Sequence, residues 1–260
     1  MGQTIMENST TVKNRICFLD ELRGLAVIAM VLYHILYSMS FIFALEFSYP
    51  AMRAVIPYEP IIPITFISIC GICCSFSKNN LKRGVILLGI SLGITLVTCI
   101  LIPEQAILFG ILHFLSIALI IYSLLQKPIN HIPPLAGLCI CLALFIICFN
   151  IPKGYIGFEP FYCIKLPEQL YQFYPLSFIG FPSSDFISSD YFPIFPYIFL
   201  FLGGIFAGKI LKSKGAPKWM YKKLCPPLDF IGKHALIIYI VHQPVIIGVL
   251  YLCSNVFNIF

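Results

Sequence analysis

The sequence predicts an all-α fold: a polytopic bundle of about seven transmembrane helices with its N-terminus in the cytoplasm. Three observations carry that expectation. Hydrophobic residues make up 59% of the 260-residue chain and charged residues only 11%, with a mean hydropathy of +0.93, far more apolar than an ordinary globular domain. The apolar residues gather in runs close to the ~20 residues that cross a hydrocarbon layer ~30 Å thick as a helix. Lysine and arginine flank alternate ends of those runs, which sets orientation by the positive-inside rule.

Residues 1–14 form a polar tail without a readable motif, and residues 15–260 form a single membrane domain. The first apolar run follows that polar leader and exceeds the ~7–15 residues of a signal core, so it is expected to stay as an anchor. It covers 17–43 and carries Asp20, Arg23, His34, Tyr37 and Ser38 on one stripe, with an apolar opposite side. Arg23 to His34 is eleven residues, about 16 Å of helix, which sinks the imidazole toward the bilayer centre. An ionisable ring there needs a polar partner or a wet cavity.

The second run, 61–77, is short and holds Pro63 and Gly71, so a tilted, broken or re-entrant span is expected. The loop before it, 44–60, is proline-rich and contains no histidine. Lys78, Lys82 and Arg83 then make a compact basic turn, either an orientation signal or a seat for the phosphates of a soluble cofactor. Further spans are expected at 84–102, 107–126, 133–150, 194–211 and 234–252.

In the fourth span Gly110 and Ser116 share a side with His113, a strip suited to close helix contact or a cavity. The external loop at 151–192 is too long for a simple connection, and its aromatics, among them Phe158, Phe161, Tyr171, Phe173, Phe178 and Phe181, suit a lid, a sugar-stacking surface or an interfacial belt. Asp190 precedes the sixth span as either a helix cap or a site carboxylate. Gly203, Gly204 and Gly208 offer close helix approach in that span. His242 lies nine residues beyond Lys233, roughly 13 Å from the inner edge and at a depth near that of His34. Three histidines from three spans thus either line one cavity opening toward Lys78–Arg83 or serve as separate buried anchors.

The net charge of +6 speaks for topology rather than nucleic-acid binding. Most of the eleven cysteines sit inside apolar runs as small hydrophobes, and no paired spacing with histidine points to a metal site.

Asp20-Glu-Leu-Arg-Gly24 with His34, Phe109-Gly-Ile-Leu-His113, Asp190-Tyr-Phe-Pro193, and Gly232-Lys-His with Tyr239-Ile-Val-His-Gln-Pro244 together resemble the bacterial membrane family related to heparan-alpha-glucosaminide N-acetyltransferase. The resemblance runs from about residue 14 to 252. It implies a multi-pass acyltransferase of the cell membrane that takes acetyl-CoA from the cytoplasmic side and passes the acetyl group to an amino or hydroxyl group of a sugar or glycan on the other side. Under that resemblance His34 is the expected base, or a covalent carrier of the acetyl group, with support from Asp20 or Asp190. His113 and His242 would polarise or position the acceptor, and Arg23, Lys78 and Arg83 would meet the phosphates of CoA. Two rival classes stand beside it: a small transporter with a histidine proton relay, and a non-catalytic membrane partner.

Overall fold

The computed structural model describes residues 15–158 and 162–255. The polar tail 1–14 and Phe161 of the long loop lie outside the described residues. Among the latter, α1 (Cys17–Tyr37) continues through a wide turn to Ile42. It is followed by α2 (Tyr49–Val55), α3 (Ile61–Cys74), α4 (Asn80–Leu101), α5 (Ile111–His131), α6 (Pro134–Cys148), α7 (Ile194–Lys214), α8 (Pro226–Lys233) and α9 (Ala235–Asn255). Six segments are long and apolar enough to cross a membrane, beginning at Cys17, Asn80, Ile111, Pro134, Ile194 and Ala235. The segment Glu46–Tyr58 with Ile61–Cys74 makes a seventh span if counted as one, bent by 41°. The bend follows from composition: Pro57, Pro60 and Pro63 withhold the backbone donors that a straight helix would use there.

Glycines set how closely the helices approach. A Cβ on Gly232 of α8 would fall 1.8 Å from the Asp20 carbonyl oxygen, and one on Gly24 of α1 would fall 2.2 Å from that of Leu228. The backbones of α1 and α8 therefore touch. Likewise a Cβ on Gly71 of α3 would collide with the Phe201 carbonyl of α7, and one on Gly204 with that of Ser68. Gly208 joins this contact, whereas Gly203 has only ordinary neighbours, the nearest being Cys141 Cβ at 3.5 Å. The main core forms where α3, α5 and α7 meet, around Ile67, Phe114, Leu115, Phe201 and Ile205. The outer faces of α4 and α9 stay exposed and apolar, as lipid-facing helices require.

The loop at 151–192 is folded. It contains an antiparallel hairpin of β1 (Tyr155–Phe158) and β2 (Tyr162–Lys165), followed by short helical turns at Glu168–Tyr171 and Tyr174–Phe178. Its last stretch pairs with the segment before α5: the Phe192 amide donates to the Phe109 carbonyl at 3.0 Å, and that of Ser189 to Ala106 at 3.0 Å. Phe178 and Phe186 pack edge to face against one another and Phe178 against Phe109, so much of the aromatic content is internal glue. Phe173, 60% exposed, is turned outward.

Candidate functional site

The contact of Gly24 with Gly232 places α1 against the α8–α9 segment. His34 lies ten residues beyond Gly24 and His242 ten beyond Gly232, and the two imidazoles come out side by side, with ring centroids 4.8 Å apart. Tyr33 and Tyr37 flank His34, with their centroids 5.6 and 6.5 Å from its ring.

The hydrogen-bond pattern fixes one tautomer. His242 Nδ1 faces the Tyr239 carbonyl, which can only accept, so Nδ1 carries the proton and Nε2 keeps a lone pair. That Nε2 has no partner among the described residues, and neither has His34 Nδ1. Next to them, Gln243 Nε2 donates to Ser38 Oγ at 3.1 Å, which leaves Gln243 Oε1 unpartnered as well. Three buried polar atoms without protein partners on two adjoining helices are costly in a membrane interior. They mark a place where a ligand's donors and acceptors can be met.

Asp190 links this place to α5. Its Oδ2 accepts from the Tyr239 hydroxyl at 2.9 Å and from the Ile111 amide at 3.0 Å. Asp190 is therefore a cap, but of α5 rather than of α7, whose own first turn has no side-chain cap. Gly110 makes room for it, since a Cβ there would sit 2.2 Å from the carboxylate. Desolvation pushes the Asp190 carboxyl above its ordinary value, and the Ile111 amide and Tyr239 hydroxyl offset part of that rise.

His113 does not join the pair. Its Nδ1 accepts from the Gly110 amide at 3.3 Å, so the proton is on Nε2, which donates to Thr95 Oγ1 of α4 at 3.0 Å. Thr95 Oγ1 in turn donates to the Ile107 carbonyl at 2.7 Å. Both ring nitrogens are thus used in holding the start of α5 to α4, and a single chamber lined by all three histidines is not what forms.

Asp20 is likewise remote from the imidazoles. It sits fourteen residues before His34 on the same helix, about 21 Å away, beyond any hydrogen-bond support. Its carboxylate is taken by Arg15 at 2.5 and 3.0 Å and by Arg23 at 2.8 Å. Arg23 also reaches the Gly232 carbonyl at 3.4 Å and Cys73 Sγ at 3.0 Å. Lys78 and Arg83 are exposed and form no salt bridge among the described residues. A half-open cavity of about 350 Å³ at this end is lined by Lys78, Asn79, Asn80, Leu81, Lys82, Ser123 and Gln126. No histidine lines it.

Sequence reasoning did not assign Tyr239, Gln243 or Ser38 to the site. The signal was available: Tyr239 and Gln243 flank His242 within one turn, and equal ten-residue offsets from Gly24 and Gly232 bring the two helices into step.

Fold and site together define a polytopic membrane protein with an imidazole pair buried between its first and last spans. The chain matches the family model described as heparan-alpha-glucosaminide N-acetyltransferase, catalytic, over residues 15–244. It belongs to that family. No curated protein and no solved structure matches it.

Proposed function

We propose that the protein is a membrane acetyltransferase that moves an acetyl group from cytoplasmic acetyl-CoA to an amino or hydroxyl group of a sugar or glycan outside the cell membrane. The observation that carries this reading is the His34–His242 pair with its unpartnered nitrogens, in a chain of this family. Two imidazoles this close in a low-dielectric interior cannot both be charged, so the pair takes up one proton. Deprotonation of one acceptor group needs that capacity and no more.

His34 is the proposed base, flanked by the tyrosines at the pair. His242, its tautomer fixed by the Tyr239 carbonyl, turns a lone pair toward the acceptor and holds it. Asp190 and Tyr239 position His242, and His113 acts at one remove by holding the start of α5, which Asp190 caps. Asp20 keeps Arg15 and Arg23 in place and has no proposed part in the chemistry. When bound, acetyl-CoA supplies the activated acyl carbonyl. Lys78 and Arg83, exposed cations without acidic partners among the described residues, are the ones that would meet its phosphates, while Arg23 is already engaged.

The test is transfer from labelled acetyl-CoA by the full-length protein in vesicles. His34→Ala is expected to lower transfer by about 10²–10⁴-fold, the usual worth of a general base, at unchanged melting temperature. CoA is expected to stabilise both forms against heat. Full transfer by the variant would remove His34 as base, and no response to CoA in either form would remove the acetyltransferase reading.

A further inference from the structure

We propose that the start of α4 and the end of α5 form a site for the headgroup of an anionic membrane lipid, a phosphodiester that carries free hydroxyls. Four features of the cavity at Lys78–Lys82 converge on that chemistry. Lys78 and Lys82 supply positive charge in its wall. The first turn of the 22-residue α4 opens there with no acidic residue and no side-chain cap from Asn79, so its amides and helix dipole face an anion without competition.

Asn80 adds the demand for a hydroxyl. It lines the cavity and is 6% exposed, and its Nδ2 donates to the Cys74 carbonyl at 2.9 Å and to that of Ser77 at 3.4 Å. Two carbonyl neighbours fix the amide orientation, since a flipped side chain would set oxygen against oxygen. Oδ1 is then a buried acceptor with no partner among the described residues. A bare phosphate offers it nothing, whereas a hydroxyl beside the phosphate donates to it. Ser123 and Gln126 extend the same polar wall from α5.

The surroundings favour a lipid over a soluble phosphate ester. Leu81 and Val85 of α4 and Leu124 and Leu125 of α5 are exposed within a turn of the cavity, Leu124 at 70%. An acyl chain can lie along those residues while its headgroup fills the cavity. Such a lipid would compete with the phosphates of CoA for Lys78, so the two assignments can be separated by experiment.

The full-length protein, purified and mixed with defined lipids, can be read by native mass spectrometry for retained lipid. Phosphatidylglycerol is expected to be retained about tenfold over phosphatidylcholine, with phosphatidylmethanol, which lacks the hydroxyls, between them. Lys82→Gln is expected to cut phosphatidylglycerol retention about fivefold at unchanged melting temperature, the usual share of one lysine near a lipid surface. Gln126→Leu serves as a second variant should the first misfold, with a smaller loss in the same direction. Equal retention of the three lipids, or retention indifferent to both variants, would overturn the proposal. So would displacement of phosphatidylglycerol by glycerol 3-phosphate, which would assign the cavity to a soluble phosphate, whereas partial displacement by CoA is the competition expected at Lys78.

Discussion

The two halves of α1 treat buried polar groups in opposite ways. At the end that bears Asp20, the charges are matched by protein: Asp20 to Arg15 and Arg23, Glu21 to the Cys225 amide at 2.9 Å, and Asp229 of the adjoining α8 to Lys233 at 2.6 Å. About four turns beyond Asp20, His34 faces His242 and Gln243 with an unpartnered nitrogen or oxygen on each of the three. Desolvation penalises both regions; the first pairs each of its carboxylates within the chain, although Asp229 Oδ1 has no partner among the described residues, and the second leaves all three of its side chains with an unpartnered atom. The matched end is a joint that sets the position of α1 against α8. The unmatched middle is where a substrate can complete the bonding.

Substitutions in the two regions should therefore separate stability from turnover. The largest effect is expected from Gly232→Ala, which forces a methyl group into the Asp20 carbonyl at the joint. Loss of about 3 kcal/mol of stability is expected, together with loss of the His34–His242 alignment. Thermal melting of the purified protein measures it, and an unchanged melting temperature would mean that the joint yields without cost.

Asp20→Ala comes next. It strands Arg23, while the exposure of Arg15 limits the damage, so a cost of about 2 kcal/mol is expected. Transfer per folded molecule should stay near that of the parent protein, because Asp20 does not reach the imidazoles. A collapse of transfer at unchanged melting would move Asp20 from the joint into the site. The smallest effect belongs to Tyr239→Phe, which removes one hydrogen bond to Asp190. At the ~1 kcal/mol of such a bond, turnover should fall about fivefold with little change in acceptor KM. A change confined to KM would make Tyr239 a binding group instead.

How much of this was legible in the sequence depends on which forces act locally. Long apolar runs identify six of the spans, because length and hydropathy alone decide whether a helix can cross, and Pro63 with the short run at 61–77 announces the bent second one. The family motifs are equally plain in the chain. Helix α8 was hidden: Pro226–Lys233 is only eight residues long and follows a lysine-rich stretch, and only its glycine contact with α1 gives it meaning. Asp190 was legible as a cap but not as the cap of α5, since that partner is 79 residues away in sequence. His113 is, like the other two, a histidine within an apolar span, yet that does not say which way a ring turns, and Thr95 on α4 decided it.

The central claim is that His34 and His242 work as one unit, and a double-substitution cycle on acetyl transfer addresses it directly. His34→Ala, His242→Ala and the combined variant, each shown to melt like the parent protein, are compared at saturating acetyl-CoA. Residues that share one proton should be strongly non-additive, so the combined variant is expected to be no slower than the worse of the two single ones. Independent, multiplying losses, or a single variant with full activity, would contradict the account.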